Sequence, residues 1–288
     1  MVGNEEDVVH YYEQFWSKSE LWWETDTTLA IHFGYYDKGI HSHKEAVLHM
    51  NDISWHLLRF TTPSPLQILD AGCGVGGTSI YLAKKYPQVS FVGITIVPTH
   101  VQMAQRFSTK RSVTSNTSFL LQNYCHTSFP DKFFDGVIAL ESANYARSKD
   151  DFIREMYRVL KSGGRISILD GFRTEKQIPP SMQKLYKIWL DGRALVGLEP
   201  IHECSLCMKQ RGFQDILICD ISSHVRSSYL FGVLIGGLFV IPAAVKTIIH
   251  SREQKKTDDF ECFMVVSLAG ALLALYECFR YYAVTGTK

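Results

Sequence analysis

The sequence predicts an α/β fold, in which a parallel sheet is flanked by helices, and three observations support this prediction. Residues 67–79 pass from an apolar strand through an acid into closely spaced glycines and the start of a helix. Strand-like and helix-like segments then alternate along the chain, which is typical of parallel strands joined by helical crossovers. A strand-like segment at 279–284 comes last, so we expect the C-terminal residues to belong to the same domain.

The order of the elements follows from the apolar runs and the residues that interrupt them. The first strand is predicted at 67–71 and its helix at 78–86, ended by Pro87. Pro98 opens the helix after the second strand, because proline suits the first helical turn. Residues 162–164, Ser-Gly-Gly, are predicted to turn ahead of the fifth strand. The strands after the first are predicted at 90–94, 118–121, 136–140, 165–169, 213–218 and 279–284.

The loop between the first strand and its helix is rich in glycine and indicates a nucleotide-type cofactor. Gly72, Gly74 and Gly76 let the backbone turn tightly and approach a ligand, while the amides at the helix start point at an anion. With Gly77 the same residues fit G-x-G-x-x-G, so dinucleotide binding and S-adenosylmethionine binding both stay open. Asp70 stands just before the turn, where a carboxylate can accept from an ammonium group. This acid favours the methionine moiety over a pyrophosphate.

Composition and charge narrow the function classes. Of the 288 residues, 46% are hydrophobic, which suits one large domain with a lid. The chain has 30 Lys and Arg residues and 29 Asp and Glu residues, and its net charge of +1 gives no argument for a nucleic-acid partner. The seven cysteines are scattered, and the polar N-terminus lacks the apolar segment of a secretory signal. We therefore expect reduced thiols and a cytoplasmic location.

Five spaced motifs are together more specific than the glycines alone. They are Leu69–Gly77, Gly93–Pro98, Phe129–Asp135, Leu140–Ser142 and Arg158–Arg165. In these motifs the chain resembles the class I S-adenosylmethionine-dependent methyltransferases, nearest the small-molecule group that contains tocopherol, sterol and geranyl diphosphate methyltransferases. The resemblance covers roughly residues 10–288. It implies a Rossmann-like sheet of seven strands whose last strand is antiparallel.

The residues ahead of the first strand are rich in aromatic side chains and predict a lid over the site. A helix is predicted at 44–58, and the aromatic residues are Tyr11, Tyr12, Trp16, Trp22, Trp23, Phe33, Tyr35 and Tyr36. We expect an N-terminal helical lid at 1–60 and a cofactor-binding core at 61–222. An apolar helical insertion at 223–276 and a closing strand at 277–288 complete the expected organisation.

The resemblance implies S-adenosylmethionine as the cofactor and assigns residues to its parts. Thr95 and Ile96 follow the second strand, where many relatives and most dinucleotide enzymes place a ribose-binding carboxylate. The uncharged Thr95 argues against a nicotinamide cofactor. Asn123 and Tyr124 stand where relatives contact adenine, and a simple turn is the alternative for both. The complete predicted cofactor set is Asp70, Gly72, Cys73, Gly74, Thr95, Ile96, His100, Asn123, Tyr124, Leu140 and Tyr36.

The residues after the fourth strand predict how an acceptor is activated. Related O- and N-methyltransferases often carry a histidine there, whereas this chain reads Glu141-Ser-Ala-Asn-Tyr145. The arrangement resembles geranyl diphosphate C-methyltransferases, in which a carboxylate and an aromatic ring stabilise a carbocation. Glu141 is therefore predicted to stabilise the cation or remove its proton, with Tyr145 beside it. His32 is the candidate base, and the alternative for all three residues is anchoring or packing.

An apolar stretch at 229–245 predicts a lipophilic acceptor. Nineteen uncharged residues separate Arg226 from Lys246, near the lower limit for a membrane span. Glycines and Pro242 interrupt the stretch, and a later strand has to return to the sheet. We expect helices that wall an acceptor pocket, with a second apolar helix at 264–276. Peripheral membrane contact and burial in a homo-oligomer are the alternatives.

No metal site is predicted. The pairs His41 with His43 and Cys204 with Cys207 lack the further ligands that a zinc site needs. Mg²⁺ would be required only if the acceptor were a diphosphate. Five basic residues are candidates to contact such a group, namely Arg147, Arg173, Lys184, Lys187 and Arg193.

The leading functional prediction is methyl transfer from S-adenosylmethionine to a lipophilic small molecule, with C-methylation of a terpenoid or prenyl substrate as the specific form. O- or N-methylation of a natural product or lipid is the first alternative. A non-catalytic binding module is the second, and the intact glycine loop argues against it.

Overall fold

A computed structural model describes residues 5–19, 25–60, 65–231, 266, 268–270, 272–274 and 277–288. Seven strands form one sheet: β1 (Gln67–Ala71), β2 (Ser90–Thr95), β3 (Thr117–Leu121), β4 (Phe134–Leu140), β5 (Leu160–Arg173), β6 (Gln214–Asp220) and β7 (Phe279–Thr287). The helices are α1 (Glu5–Ser19), α2 (Thr25–Thr28), α3 (His43–His56), α4 (Gly77–Lys85), α5 (Pro98–Lys110), α6 (Lys149–Val159), α7 (Pro180–Gly192) and α8 (Ile201–Arg211), with a 3₁₀ helix at Ala143–Tyr145.

The strand order is β3-β2-β1-β4-β5-β7-β6. The first five strands pair in parallel, whereas β7 is antiparallel to both β5 and β6. The predicted α/β class, the seven strands and the antiparallel last strand are confirmed. Because β7 lies between β5 and β6, the final strand is an interior part of the sheet.

Both faces of the sheet are covered by apolar side chains. Ile68 and Ile138 contribute to the core on one face, while Leu69 and Val137 contribute to the core on the other. All four side chains are fully buried. Successive residues of a strand point to opposite faces, so the unbroken apolar runs in the sequence correspond to strands with helices on each side.

The turn predicted at 162–164 is instead part of β5. The register of β5 against β4 shifts between Leu160 and Arg165, so the extra residues form a bulge rather than a chain reversal. Gly163 has a φ of 79°, which favours glycine. Its N–H donates to the carbonyl of Lys288 at 2.8 Å, and the Lys288 N–H donates to the carbonyl of Gly164 at 2.9 Å. The C-terminal residue thus stabilises the bulge, a long-range contact that local turn chemistry does not indicate.

Two helices begin at their predicted start or within one residue of it, and the first of them has a side-chain cap. Helix α3 begins after Ser42, whose hydroxyl accepts from the Glu45 N–H at 3.2 Å. The Glu45 carboxylate accepts from the Ser42 N–H at 3.0 Å, which completes a capping box. Helix α5 begins at Pro98, as its position in the sequence predicts.

The predicted apolar insertion is described in part. Residues 222–231 are helical, as are the described residues between 266 and 274. The rest of the 229–245 stretch lies outside the described residues, as do Trp22 and Trp23 of the predicted lid. None of the helices among the described residues combines the length and apolar character needed to cross a membrane.

Candidate active site

A cavity of about 360 Å³ lies at the carboxyl ends of the central strands. Asp70 of β1, Thr95 of β2, Leu140 of β4 and Asp170 of β5 all line it. In doubly wound sheets, ligands bind outside the carboxyl ends of the strands. The cavity therefore occupies the expected location for a cofactor and a substrate together.

The glycine loop forms one wall of this cavity. Gly72 has a φ of 90°, and a Cβ added there would lie 2.4 Å from Cβ of Ser142. Gly74 has a φ of 53°, and a Cβ added there would meet no atom within 4 Å. Gly72 is therefore required for packing, whereas Gly74 leaves an open surface on the cavity side that a ligand can approach.

Asp70 is buried at the end of β1 and lines the cavity beside the loop. Its Oδ2 accepts a hydrogen bond from the Ser79 hydroxyl on α4 at 2.6 Å. Burial raises the pKa of Asp70 to about 6, while the bond from Ser79 acts in the opposite direction. An ammonium group in the cavity would return this carboxyl towards its charged form.

The residues after β2 are placed beside the loop. The Thr95 hydroxyl accepts from the Val97 N–H at 3.2 Å, so it helps to hold the turn into α5, and Ile96 also lines the cavity. His100 is buried on α5 and lines the cavity, with its ring edge-on to Tyr12 at a centroid distance of 5.6 Å. Burial lowers the pKa of His100 to about 4, so its ring is neutral at neutral pH.

Asn123 and Tyr124 line the cavity at the exit of β3. The Asn123 carbonyl oxygen accepts from the Cys125 N–H at 2.7 Å, which is a side-chain turn. Its amide group donates to Oε1 of Glu5 at 2.6 Å. The Tyr124 hydroxyl donates to the carbonyl of Ser142 at 2.8 Å. The structure thus combines the turn and the cavity position, and it ties α1 to the site through Glu5.

Glu141 lies at the centre of the site, directly after β4. Its φ is 49°, a left-handed conformation that is uncommon for a residue with a side chain. Oε1 accepts from the Phe33 N–H at 2.6 Å and from the Tyr281 hydroxyl at 2.9 Å. Burial raises the pKa of Glu141 to about 8, although both hydrogen bonds act to lower it. The carboxyl group is therefore mostly protonated at neutral pH.

Tyr145 lies in the 3₁₀ helix after Glu141 and faces the N-terminal helix. Its ring meets that of Tyr12 edge-to-face, with 5.4 Å between centroids. Both residues line the cavity together with Tyr11. Burial raises the pKa of Tyr145, so its hydroxyl stays protonated and is a hydrogen-bond donor.

The remaining predicted residues differ in position. Cys73, in the glycine loop, lines the cavity. His32 is buried in the cavity wall, and its Nδ1 lies 3.0 Å from the carbonyl of Phe33. Burial lowers the pKa of His32 to about 4. Tyr36 is not among the described residues that line the cavity; its hydroxyl bonds to Nδ1 of His43 at 3.0 Å. The structure brings His32 to the site and places Tyr36 outside it.

The side of the cavity away from the glycine loop is apolar. The rings of Trp189 and Phe279 stack with 5.0 Å between centroids. The rings of Phe33 and Tyr229 meet edge-on at 4.6 Å. These four residues line the cavity with Leu195 and Leu198. We call these four aromatic residues and two leucines the aromatic wall.

Several cavity residues were not singled out from the sequence. Asp170 accepts at Oδ1 from the Asn144 amide at 2.6 Å, and burial raises the pKa of Asp170 to about 6. Tyr281 of β7 reaches Glu141 across the sheet. Asp170 directly follows the predicted fifth strand, as Asp70 ends the first, so its position carried a usable signal. Tyr281 carried none, because its contact depends on the position of β7 in the sheet.

The five basic residues predicted as candidates to contact a diphosphate differ in whether they line the cavity. Arg147 and Arg193 line the cavity, whereas Arg173, Lys184 and Lys187 do not. Cys204 and Cys207 both lie on α8 and do not line the cavity either. Over the described part of the chain, no group of three or more His, Cys, Asp or Glu side chains could hold a metal ion.

Comparisons with known proteins agree with this geometry. The model of a family described as "Methyltransferase domain" matches residues 69–168. Ajmaline N-methyltransferase from Rauvolfia serpentina is 32% identical over 192 residues, which is 64% of this chain and 64% of that protein. The chain thus spans less than two-thirds of the length of that relative. The S-adenosyl-L-methionine-dependent Diels-Alderase iccD from Talaromyces variabilis is 28% identical over 96% of this chain and 93% of its own.

Among solved structures, the cyclopropane synthase MmaA2 from Mycobacterium tuberculosis superposes with a TM-score of 0.82 at 16% identity. The superposition covers 100% of this chain and 99% of that one. At this identity the likeness concerns the fold alone. It extends over the whole chain, including the parts before and after the matched domain.

Proposed function

Because the chain carries a methyltransferase domain in a sheet of the class I methyltransferase fold, we propose that it transfers a methyl group from S-adenosylmethionine to a lipophilic small molecule. The observation that carries this proposal is a single cavity, which joins the glycine loop on one side to the aromatic wall on the other. Glu141 lies between the two and lines the same cavity. Cofactor and acceptor would therefore share one enclosed space.

The residues beside β1 and β2 fit the proposed cofactor. The open surface at Gly74 permits close approach of a ligand, and the buried Asp70 carboxyl can accept from an ammonium group. Thr95 brings no charge to the ribose position, and Asn123 and Tyr124 would border the adenine. When bound, S-adenosylmethionine supplies an electrophilic methyl group. The enclosing side chains position the acceptor and exclude water, which are the main means of accelerating such a transfer.

Carbon is the proposed site of methylation. His32, the candidate base for a heteroatom acceptor, has its pKa lowered to about 4 by burial and is a weak base there. Glu141 and Tyr145 instead offer a carboxyl group and an aromatic ring beside the aromatic wall. We propose that Glu141 in its ionised form stabilises a cation on the acceptor or accepts its proton. The residues that remain for this chemistry thus favour an alkene over an amine or alcohol.

A cycloaddition with bound S-adenosylmethionine is the second candidate function. The observation that favours it is the alignment with the Diels-Alderase, which runs over 96% of this chain, whereas the N-methyltransferase alignment runs over 64%. The protonated Tyr12 and Tyr145 hydroxyls and the aromatic wall would then bind and orient a reactive polyene. In this case the cofactor would be bound but not consumed.

The deciding experiment measures cofactor binding and product mass with the same protein. Titration calorimetry with S-adenosylmethionine, S-adenosylhomocysteine and NADH tests the cofactor, and tight binding of NADH alone would contradict both candidates. The protein is then incubated with methyl-labelled S-adenosylmethionine and lipophilic alkenes, beginning with geranyl diphosphate and tocopherol precursors. A labelled methyl on carbon supports the first proposal, and a methyl on oxygen or nitrogen contradicts C-methylation. A conjugated polyene that carries a dienophile is incubated in the same way, and an isomeric product without label supports cycloaddition.

Asp70→Asn tests the proposed contact between Asp70 and the amino acid end of the cofactor. The substitution keeps the size of the side chain and its bond with Ser79 but removes the charge that an ammonium group would meet. We expect S-adenosylhomocysteine to bind at least about tenfold more weakly, because charged hydrogen bonds contribute on the order of 1.5–3 kcal/mol. Unchanged affinity would place the amino acid end of the cofactor elsewhere.

A further inference from the structure

Two side-chain hydrogen-bond donors that line the cavity have no partner among the described residues. The Nε atom of Arg193 and the hydroxyl of Tyr229 are both buried, and neither bonds to any residue that the structure describes. Both residues line the cavity. A buried donor without a partner costs free energy, so its presence in a binding cavity indicates that a ligand supplies the acceptor.

Arg193 is held firmly at the end of α7. Its backbone N–H donates to the carbonyl of Leu190 at 3.0 Å. The preceding Gly192 packs so closely that an added Cβ would lie 2.1 Å from a methyl group of Val266. The following Ala194 has a φ of 52°, which the tight turn requires. The arginine is therefore carried by a fixed turn that directs it to the cavity.

The charge of Arg193 is not balanced by the surrounding residues. It forms no ion pair with an acid in the described part of the chain, and the groups whose charges act on it are Tyr11, Tyr12, Tyr145 and Glu141. The tyrosines are neutral at neutral pH. Burial raises the pKa of Glu141 to about 8, which keeps that carboxyl largely neutral as well. A partly buried cation that has no ion-pair partner among the described residues favours an anionic ligand.

Tyr229 lines the same cavity as Arg193. Burial raises the pKa of its hydroxyl, and the charge of Arg193 acts in the opposite direction. The ring of Tyr229 belongs to the aromatic wall through its contact with Phe33. One ligand group that accepts from both donors would thus sit at the edge of an apolar surface.

We propose that Arg193 and Tyr229 bind one monoanionic oxygen group of the acceptor, a carboxylate or an ionised enol or phenol, while its apolar body lies on the aromatic wall. This inference rests on the proposed function, because it names the class of acceptor for the same cavity. A diphosphate fits less well. The other cavity arginine, Arg147, is exposed, and no metal-binding group of acids lies among the described residues.

The test compares two fluorescent probes that differ by one charge. 8-Anilinonaphthalene-1-sulfonate is an anion, and N-phenyl-1-naphthylamine is the same ring system without the sulfonate. Both are titrated into the full chain with and without S-adenosylhomocysteine. We expect the wild type to prefer the anion, and Arg193→Gln to weaken anion binding at least about tenfold while the neutral probe changes by less than about twofold.

Two further variants separate the proposed contacts from general effects. Tyr229→Phe removes only the unpartnered hydroxyl and should weaken the anionic probe about fivefold, because a neutral hydrogen bond contributes about 1 kcal/mol. Arg226→Gln makes the same change of charge at an exposed residue that does not line the cavity, and it should alter the affinity for either probe by less than about twofold. If Arg193→Gln lost affinity for both probes equally, the residue would have a structural role, and this result would overturn the proposal. A loss of affinity in Arg226→Gln that matched that of Arg193→Gln would overturn it as well.

Displacement of the bound anionic probe identifies which anionic oxygen group Arg193 and Tyr229 bind. Decanoate represents a carboxylate, 2,4-dinitrophenolate represents an ionised enol or phenol, and decanol is the neutral comparison. We expect one of the anions to displace the probe from the wild type more strongly than decanol does, and this advantage to vanish in Arg193→Gln. Displacement by decanol as strong as by either anion would contradict the proposal. Failure of S-adenosylhomocysteine to bind would count against the proposed function alone, since the probes report on Arg193 directly.

Discussion

At the residue scale, Glu141 combines three unusual properties. Its backbone is in the left-handed region, burial raises the pKa of its carboxyl group, and its Oε1 accepts from two different parts of the chain. Strained backbone and raised pKa values concentrate at functional sites. The two hydrogen bonds also join the segment before α3 to β7. Glu141 therefore serves both as an anchor and as the proposed ionisable group of the site.

The raised pKa predicts how stability depends on pH. The carboxyl has an ordinary pKa of 4.5, and burial raises it to about 8 in the folded protein. Between these values the folded protein keeps a proton that the unfolded chain has released, so raising the pH favours unfolding. The stability that the protonated carboxyl contributes is fully lost above a pH of about 8. The unfolding free energy of the wild type should fall relative to that of Glu141→Gln by up to roughly 1.4 kcal/mol per pH unit. Urea unfolding across this pH range measures the difference.

Glu141→Gln suits this comparison because its amide oxygen can still accept from Phe33 and Tyr281. Glu155→Gln is the control, since hydrogen bonds from Arg158 and Thr127 hold the pKa of Glu155 below its ordinary value. The difference in unfolding free energy between Glu155→Gln and the wild type should stay constant over the same pH range and change only in more acidic solution. If the difference in unfolding free energy between Glu141→Gln and the wild type also stayed constant, the Glu141 carboxyl of the wild type would ionise normally.

At the element scale, the loop between β1 and α4 shows that glycines with similar backbone angles serve different purposes. Gly72 packs against Ser142, whereas Gly74 leaves open space on the cavity side. The sequence shows that both positions are glycine, and the resemblance assigns both to the cofactor. Only the structure separates packing from access, because the neighbour of Gly72 comes from the end of β4.

Gly74→Ala tests the proposed approach of the cofactor. The φ of 53° makes alanine unfavourable there, by about 1–2 kcal/mol of stability. The added methyl group would also project into the cavity, so we expect S-adenosylhomocysteine to bind at least about tenfold more weakly in titration calorimetry.

Gly163→Ala provides the matched control. Gly163 also has a positive φ, of 79°, and open space around an added Cβ, but it lies in the bulge of β5 and not in the cavity wall. It should lose a similar amount of stability and keep its cofactor affinity. Equal affinities of the two variants would show that Gly74 does not face the cofactor.

At the scale of the whole molecule, segments distant in sequence enclose the cavity. The Gly34 N–H donates to the Ser228 hydroxyl at 2.8 Å, which ties the N-terminal segment to the helix at 222–231. The Tyr281 N–H donates to the Ser222 hydroxyl at 2.9 Å, which ties that helix to β7. Strand β7 thus stabilises both the sheet and the helix at 222–231.

Removal of residues 279–288 should therefore abolish folding. It would take away the strand that pairs with both β5 and β6 and expose buried side chains such as Val284. Circular dichroism and limited proteolysis should show a chain without a cooperative thermal transition. Arg280→Gln, on the same strand but in surface ion pairs with Asp220 and Glu277, should cost less than about 1 kcal/mol. A cooperative transition in the truncated chain would contradict the assigned role of β7.

The sequence by itself determined the α/β class, the seven strands and the glycine loop with Asp70, because these depend on local periodicity and on backbone freedom at single positions. Its resemblance to methyltransferases also identified Glu141, Tyr145 and His32, which the structure brings to one cavity. Only the tertiary structure decided that Tyr36 lies outside that cavity and that 162–164 form a bulge. It alone assembled Tyr281, Arg193 and Tyr229 around the cavity, because they come from chain segments that meet only after folding.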